Sequence, residues 1–417
     1  MYPTIKPSLN LDFANVRRLD PRITFTRASS GTYFNEFGLL VTAAANVPRF
    51  DYNPVTGESL GLLIEEQRTN LLRYSEQFDN AAWTKANTTI TANAEIAPDG
   101  LLTADKLVEN TANSTHTVEN SATLVSGTTY TSSVSIKAGG RPTIQMVLLG
   151  TAFTESRTWF DLSTGVSTTT IGTIVSASIV SQGNGWYRVS VTQTATASGA
   201  GTISLRLWNG STALYTGDGT SGIYIWGAQL EVGAFPTSYI KTEGSQVTRA
   251  ADSAVMTGSN FSNWYNPLEG TFVAEYAASS LINNPGAFAA GDSSLSFGAR
   301  STIYLVNSSG ISGRATLNVS VSGATQAGIA PAYTPVANTL YKVSASYKVN
   351  DFAICVNGGS VAVDTNGSVP TATNFSFSIG SLNSAWVTGS NHLNGTIKRI
   401  AYYPRRLSDA QLQALTG

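Results

Sequence analysis

Between residues 80 and 241 apolar and polar side chains alternate with a period of two. Residues 130–136 (YTSSVSI) and 186–192 (WYRVSVT) put one set of side chains on one face and the other set on the reverse. That is the pattern of strands with one face in a core. Glycine-bearing turns punctuate them at Gly139-Gly140, Gly183-Asn184-Gly185 and Gly217-Asp218-Gly219. No stretch repeats convincingly at helical spacing, so the segment predicts a β-sandwich or jelly roll over 81–241.

A polar stretch, 242–257, reads as a linker to a second β-domain over 258–417, with strands at 270–276, 341–347 and 352–356. Asn357-Gly358 predicts a type I′ hairpin, because both central positions of that turn need positive φ. The end of the chain predicts a short helix, with Ser408 as N-cap, Gln411 as its capping-box partner, Leu412 and Leu415 inward and Gly417 at the stop. The first 80 residues differ: short strand-like pieces at 23–26 and 32–34 are broken by Pro21, Gly31, Gly38, Pro48 and Pro54. The expected fold class is therefore all-β: two tandem β-sandwich/jelly-roll domains, an irregular N-terminal segment and one short C-terminal helix.

Charge sharpens the first boundary. Residues 1–80 hold 17 of the 51 charged side chains, so this segment is the one rich in Arg, Asp and Glu. Too interrupted to bury much by itself, it is expected to be an attachment or docking element. Its charges would pair with a neighbouring domain, another subunit or a particle. Over the whole chain charged residues are 12%, about half of the usual ~25%, and Ser, Thr, Asn and Gly fill the gap. Such a polar, uncharged surface is common in extracellular β-rich fibres and lectins. With a net charge of -1 and no Lys/Arg run beyond a doublet, no nucleic-acid partner is expected. No apolar stretch reaches the roughly 18 residues of a membrane span, and the start reads without a secretory signal. The single cysteine, Cys355, lies in an apolar run and predicts a buried thiol.

Three stretches carry a resemblance. The opening, with PRITFTRASSGTYF, NVPRFDYNPVTGESLGLLIEEQRTNLL and YSEQFDNAAW, resembles a module of phage tail-fibre, head-spike and other virion-associated proteins. The middle, with WFDLSTG, GNGWYRVSV and YTGDGTSGIYIWGAQLEVG, resembles carbohydrate-binding jelly-roll modules. The last part, with VNGG, FSIGS and LNGTIKRIAYYPRRLSDAQLQAL, is similar to a concanavalin-A-like (laminin-G-like) lectin domain. The resemblance implies a virion surface protein that binds host cell-surface glycan. Other virion proteins would meet its N-terminal segment, and homotrimers are common among such fibres and spikes.

Catalytic chemistry finds little support. Gly57-Glu-Ser59-Leu-Gly61 matches Gly-X-Ser-X-Gly, but Pro54 and a turn precede it where a nucleophile elbow needs a strand. His116 and His392 stand in polar surroundings and read as surface residues; with one cysteine they cannot build a usual zinc site. No organic cofactor is expected. Calcium on oxygen ligands stays open, with Asp218, Glu231, Asp292 and Asp364 as the carboxylates near turns or strand ends. Adjacent Glu65-Glu66 would face opposite sides of a strand, and Glu269 and Glu275 stand six residues apart, so the carboxylate pair of a glycosidase is not evident. No catalytic residue is assigned and no enzyme is expected.

Sugar binding needs exposed aromatic faces with hydroxyl-matching polar groups beside them. Trp159, Trp186 and Trp226 lie in alternating strands and are expected in the core, whereas Trp264-Tyr265 should stitch the linker onto a domain. Trp208, Tyr215 and Trp386 are the loop aromatics chosen as carbohydrate-binding candidates. The expected function is adsorption to host polysaccharide; the rivals are a purely structural virion subunit and a polysaccharide depolymerase.

Overall fold

The protein is described by a computed structural model covering residues 2–282, 284–292, 301–371, 375–382 and 391–417. It is all-β, with two sandwiches of antiparallel sheets. The first sandwich stacks two six-stranded sheets. One runs Ile174–Gly183, Trp186–Thr194, Thr129–Gly139, Gly222–Val232, Leu102–Glu109, Thr88–Ile96. The other runs Val166–Ile171, Ser156–Asp161, Thr143–Gly150, Gly199–Trp208, Thr117–Leu124, Thr84–Ala86. Alternate residues meet between them: Val134, Ile136, Val189 and Ile223 from one sheet, Ile144, Met146, Leu205 and Leu207 from the other. Each such side chain removed from water contributes about 1.5–3 kcal/mol.

The polar faces of the first sheet are not solvated. Thr131, Ser133 and Ser135 are as buried as the apolar residues between them, because the reverse face carries a second, smaller cluster. There Trp186, Trp226, Ala104 and Tyr239 pack with Leu40 and Phe34 from the N-terminal hairpin Gly31–Phe34/Leu40–Ala43. Arg188 lies in this layer and donates to the Gly227 carbonyl at 2.5 Å and to the Ser133 hydroxyl at 2.8 Å.

The second sandwich corrects the expected domain order. Its eight-stranded sheet contains Glu269–Ala278, Tyr341–Lys348, Phe352–Val356 and Gly395–Tyr403, but also Leu9–Asp12, Arg49–Tyr52 and Ser59–Ile64 from the N-terminal segment. Leu9 pairs with Tyr402, and Leu63 with Thr396. Its seven-stranded partner begins with Thr24–Thr26 beside Ser253–Met256. So 1–80 is woven into the second sandwich and lays one hairpin on the first; it is not a separate segment. The stretch 242–257 is not a free linker either, since Val247–Arg249 pairs with Arg68–Asn70 and Ser253–Met256 is a sheet strand.

The Gly57-to-Gly61 motif belongs to this seam. Gly57 (φ +69°) closes the turn before Ser59–Ile64. Gly61 (φ +91°) sits at a bulge where a Cβ would lie 2.1 Å from the Ile397 carbonyl oxygen, so only glycine lets the two strands close. The C-terminal helix Asp409–Thr416 starts with the expected capping box and buries Leu412 over Cys355 on the outer side of the eight-stranded sheet. Asn357 and Gly358 take φ of +48° and +67° between Phe352–Val356 and Ala362–Asp364, as a type I′ turn requires.

Candidate functional site

One outward sheet face carries both aromatics and polar groups that lack partners. On the second sheet of the first sandwich Leu205 and Leu207 point inward, so Arg206 and Trp208 point outward. Register places Gln145 directly between Arg206 and Trp159, and Thr143 beside Trp208. All of these side chains therefore share the outer face, and they belong to none of the apolar clusters of the fold. Trp159 is 9% exposed. Its ring meets that of the half-buried Trp208 edge-on, with centroids 5.4 Å apart and planes at 87°.

The polar complement beneath the tryptophans is incomplete. Gln145 is fully buried; its Oε1 accepts from Arg206 Nη1 at 3.2 Å, while its Nε2 has no hydrogen-bond partner among the described residues. Arg206 Nε, Trp159 Nε1 and Ser204 Oγ are likewise buried without partners among the described residues. Each such unmade bond costs about 1–3 kcal/mol, so a hydroxyl-rich ligand or water that completes them is favoured. Burial and the nearby Arg157 guanidinium pull Arg206 below its ordinary value, and among the described residues no carboxylate forms an ion pair with it. Arg157 is itself held by Glu155 at 2.7 Å.

The sequence candidates divide across the structure. Trp208 ends the strand Gly199–Trp208 instead of standing in a loop; the turn after it is set by Asn209, whose Oδ1 accepts from the Ser211 and Thr212 amides. Tyr215 is 7% exposed and offers no aromatic face to solvent. Its hydroxyl donates to Glu109 at 2.6 Å, and Arg141 closes over its ring at 5.1 Å; burial and the Glu109 carboxylate push that hydroxyl well above the usual tyrosine range. Trp386 lies outside the described residues. His116, expected at the surface, is fully buried, its Nδ1 2.7 Å from the Asn87 carbonyl. His392 is part-buried, with Nε2 3.1 Å from the Asp252 carbonyl.

Trp186 and Trp226 are buried as expected, and Trp264 packs against Phe377 and Tyr402 in the second core. Trp159 is buried but on the reverse side from the core, and sequence reasoning missed it together with Gln145 and Arg206. The signal was present: Trp159 and Phe160 are adjacent on one strand, so they must face opposite sides, and only Phe160 joins the core.

Asp218 is a turn residue: its Oδ1 accepts from the Thr220 and Ser221 amides at 2.7 and 2.6 Å. Glu231 is buried on the Thr237 hydroxyl at 2.7 Å. No group of three or more His, Cys, Asp or Glu side chains that could hold a metal occurs among the described residues. A cleft of about 350 Å³ on the eight-stranded sheet gathers Asp12, Glu58 and Glu275 with Lys398 and Arg399. Every carboxylate there is already engaged: Glu58 with Lys398, Glu275 with Arg399 at 3.9 Å, and Asp12 with the Asn15 side chain at 2.8 Å.

Comparison with a family model bears on the second sandwich. Residues 281–413 match the family described as the concanavalin A-like lectin/glucanases superfamily. A search of curated proteins found no match. Among solved structures, a pentraxin from Limulus polyphemus covers 36% of the chain and 70% of its own length at 14% identity and a TM-score of 0.27. The CBM40 module of a Ruminococcus gnavus sialidase covers 36% and 84% at 17% identity, TM-score 0.31. Domain 4 of a Geobacillus stearothermophilus arabinanase covers 44% and 82% at 16% identity, TM-score 0.32.

Proposed function

We propose that this chain is a non-catalytic carbohydrate-binding subunit of a phage-type particle, which presents its two sandwiches to host cell-surface polysaccharide. The observation that carries the binding half is the outer face with Trp159, Trp208, Gln145 and Arg206. Trp208, half-buried and backed edge-on by the buried Trp159, offers its ring to a pyranose, and the part-buried Arg206 stands on the same face. The similarity of residues 281–413 to a lectin superfamily supports the same reading for the second sandwich. The virion setting rests on the motifs of the first 85 residues. Repeated copies, in a trimer or on a particle, would turn weak single sites into avidity.

A glycan array with host capsular polysaccharides tests the reading, with the purified protein presented multivalently. Binding that Trp208→Ala or Trp386→Ala abolishes, with no shortening of the polysaccharide, is the expected result. Absence of binding to every host glycan would favour a purely structural subunit, and shortened chains would establish a depolymerase.

A further inference from the structure

We infer that the ligand of the Trp159–Trp208 face carries a carboxylate, so that the glycan bound there is acidic, built from uronic or nonulosonic sugars; this rests on the glycan-binding reading above. The geometry argues it from Arg206. Among the described residues its guanidinium makes one hydrogen bond, to Gln145 Oε1, and no ion pair. Arg27, Arg49, Arg141, Arg249 and Arg406, by contrast, each sit against a carboxylate.

A part-buried guanidinium with unused donors beside two indoles is a site for a planar anion, because its fork matches a carboxylate with two parallel N–H···O bonds. A neutral sugar hydroxyl could use one donor at a time; a carboxylate uses two and brings into contact a counter-charge that Glu155 and Glu119 supply only from a distance. The other charges on this face do not serve that role. Glu155 is spent on Arg157, and Asp161 caps its own turn through Ser163. Glu119, opposite Ser204, lies two residue pairs along from Arg206 and, among the described residues, forms no ion pair with it. Glu119 then acts as a repulsive gate that weakens binding of an acidic sugar.

The test is titration calorimetry on the full chain with matched pairs: 3′-sialyllactose against lactose, and trigalacturonate against its carboxyl-reduced trimer. The expected result is at least tenfold tighter binding of one acidic member over its neutral counterpart, a gap that closes in Arg206→Gln and widens in Glu119→Gln. Which pair shows the gap separates nonulosonic from uronic sugars. Thermal unfolding midpoints of both variants are compared with the parent to separate lost contacts from lost fold. Equal binding of acidic and neutral members, or a gap unchanged in Arg206→Gln, overturns the inference and leaves the glycan-binding face standing. Failure of both pairs and of every glycan on the array overturns the glycan reading and the inference with it.

Discussion

Two clusters of arginine in this molecule have opposite surroundings. At the seam between the N-terminal strands and both sandwiches, Arg27, Arg49 and Arg249 converge on Glu65 and Asp252, all of them buried. Arg49 reaches Glu65 at 2.7 Å and Asp252 at 2.5 Å, Arg27 reaches Asp252 at 3.1 Å, and Arg249 pairs with Glu65. Three cations face two anions, and the surplus is met by the carbonyls of Ser29, Thr32, Ala44 and Glu66. Ser238, at the end of the first sandwich, donates to Glu65 at 2.6 Å through its hydroxyl. On the Trp159–Trp208 face Arg206 hydrogen-bonds one amide and, among the described residues, forms no ion pair. The seam arginines are held by carboxylates inside the fold, whereas Arg206 is part-buried and keeps donors that a ligand can reach.

The largest test of this contrast is Asp252→Ala. It strips Arg27 and Arg49 of an anion and the Glu65 amide of an acceptor, and breaking one side of a buried pair costs about 3–5 kcal/mol. A fall in the thermal midpoint of roughly 10 °C is expected; a shift under about 2 °C would mean that the seam does not join the sandwiches. Acid should probe the same cluster. Burial would raise the Glu65 carboxyl, yet Arg249, Arg49 and Ser238 outweigh it and hold the folded value at about 2. Since that lies below the ordinary value of 4.5, the stabilisation is complete above about pH 4.5 and is lost as pH falls towards 2, by at most about 3 kcal/mol. Glu65→Gln should flatten the stability profile in that window, as urea unfolding at stepped pH would reveal.

Trp208→Ala sharpens the other half. The ring is half-buried at a strand end and packs on one neighbour, so removing it should weaken glycan binding about tenfold, or ~1.4 kcal/mol, and move unfolding by less than that. Trp159→Ala should cost stability as well, because Trp159 is nearly buried. If both variants lost stability equally and kept binding, the face would be structural like the seam.

What could be read from the sequence was local. The Asn357-Gly358 turn, the Ser408–Gln411 cap and the period-two strands each follow from a few consecutive residues, and all are present. The weaving of the N-terminal strands was not legible, because pairing Leu9 with Tyr402 spans nearly the whole chain and leaves no local mark. The excess of charge before residue 80 was visible; its use, as a buried seam, depended on Arg249 and Asp252 arriving from the stretch read as a linker. His116 and Tyr215 misled for a related reason, since their polar neighbours in sequence are not their neighbours in space. In space their rings meet at a tilt of 51°, with centroids 4.8 Å apart.

The smallest effect tests whether burial, and not mere pairing, gives the seam its strength. Arg17 and Glu36 form an ion pair at 2.8 Å with both side chains about half exposed, at 50% and 47%. Water screens such a pair and the two side chains lose freedom to make it, so its net contribution is about 0–1 kcal/mol. Glu36→Gln should therefore leave the unfolding free energy within about 0.5 kcal/mol of the parent, as urea unfolding would show. A loss above about 1 kcal/mol would make the distance between charges, common to both sites, the governing quantity. The contrast between a buried cluster that holds its own carboxylates and a face whose arginine touches none would then need another cause.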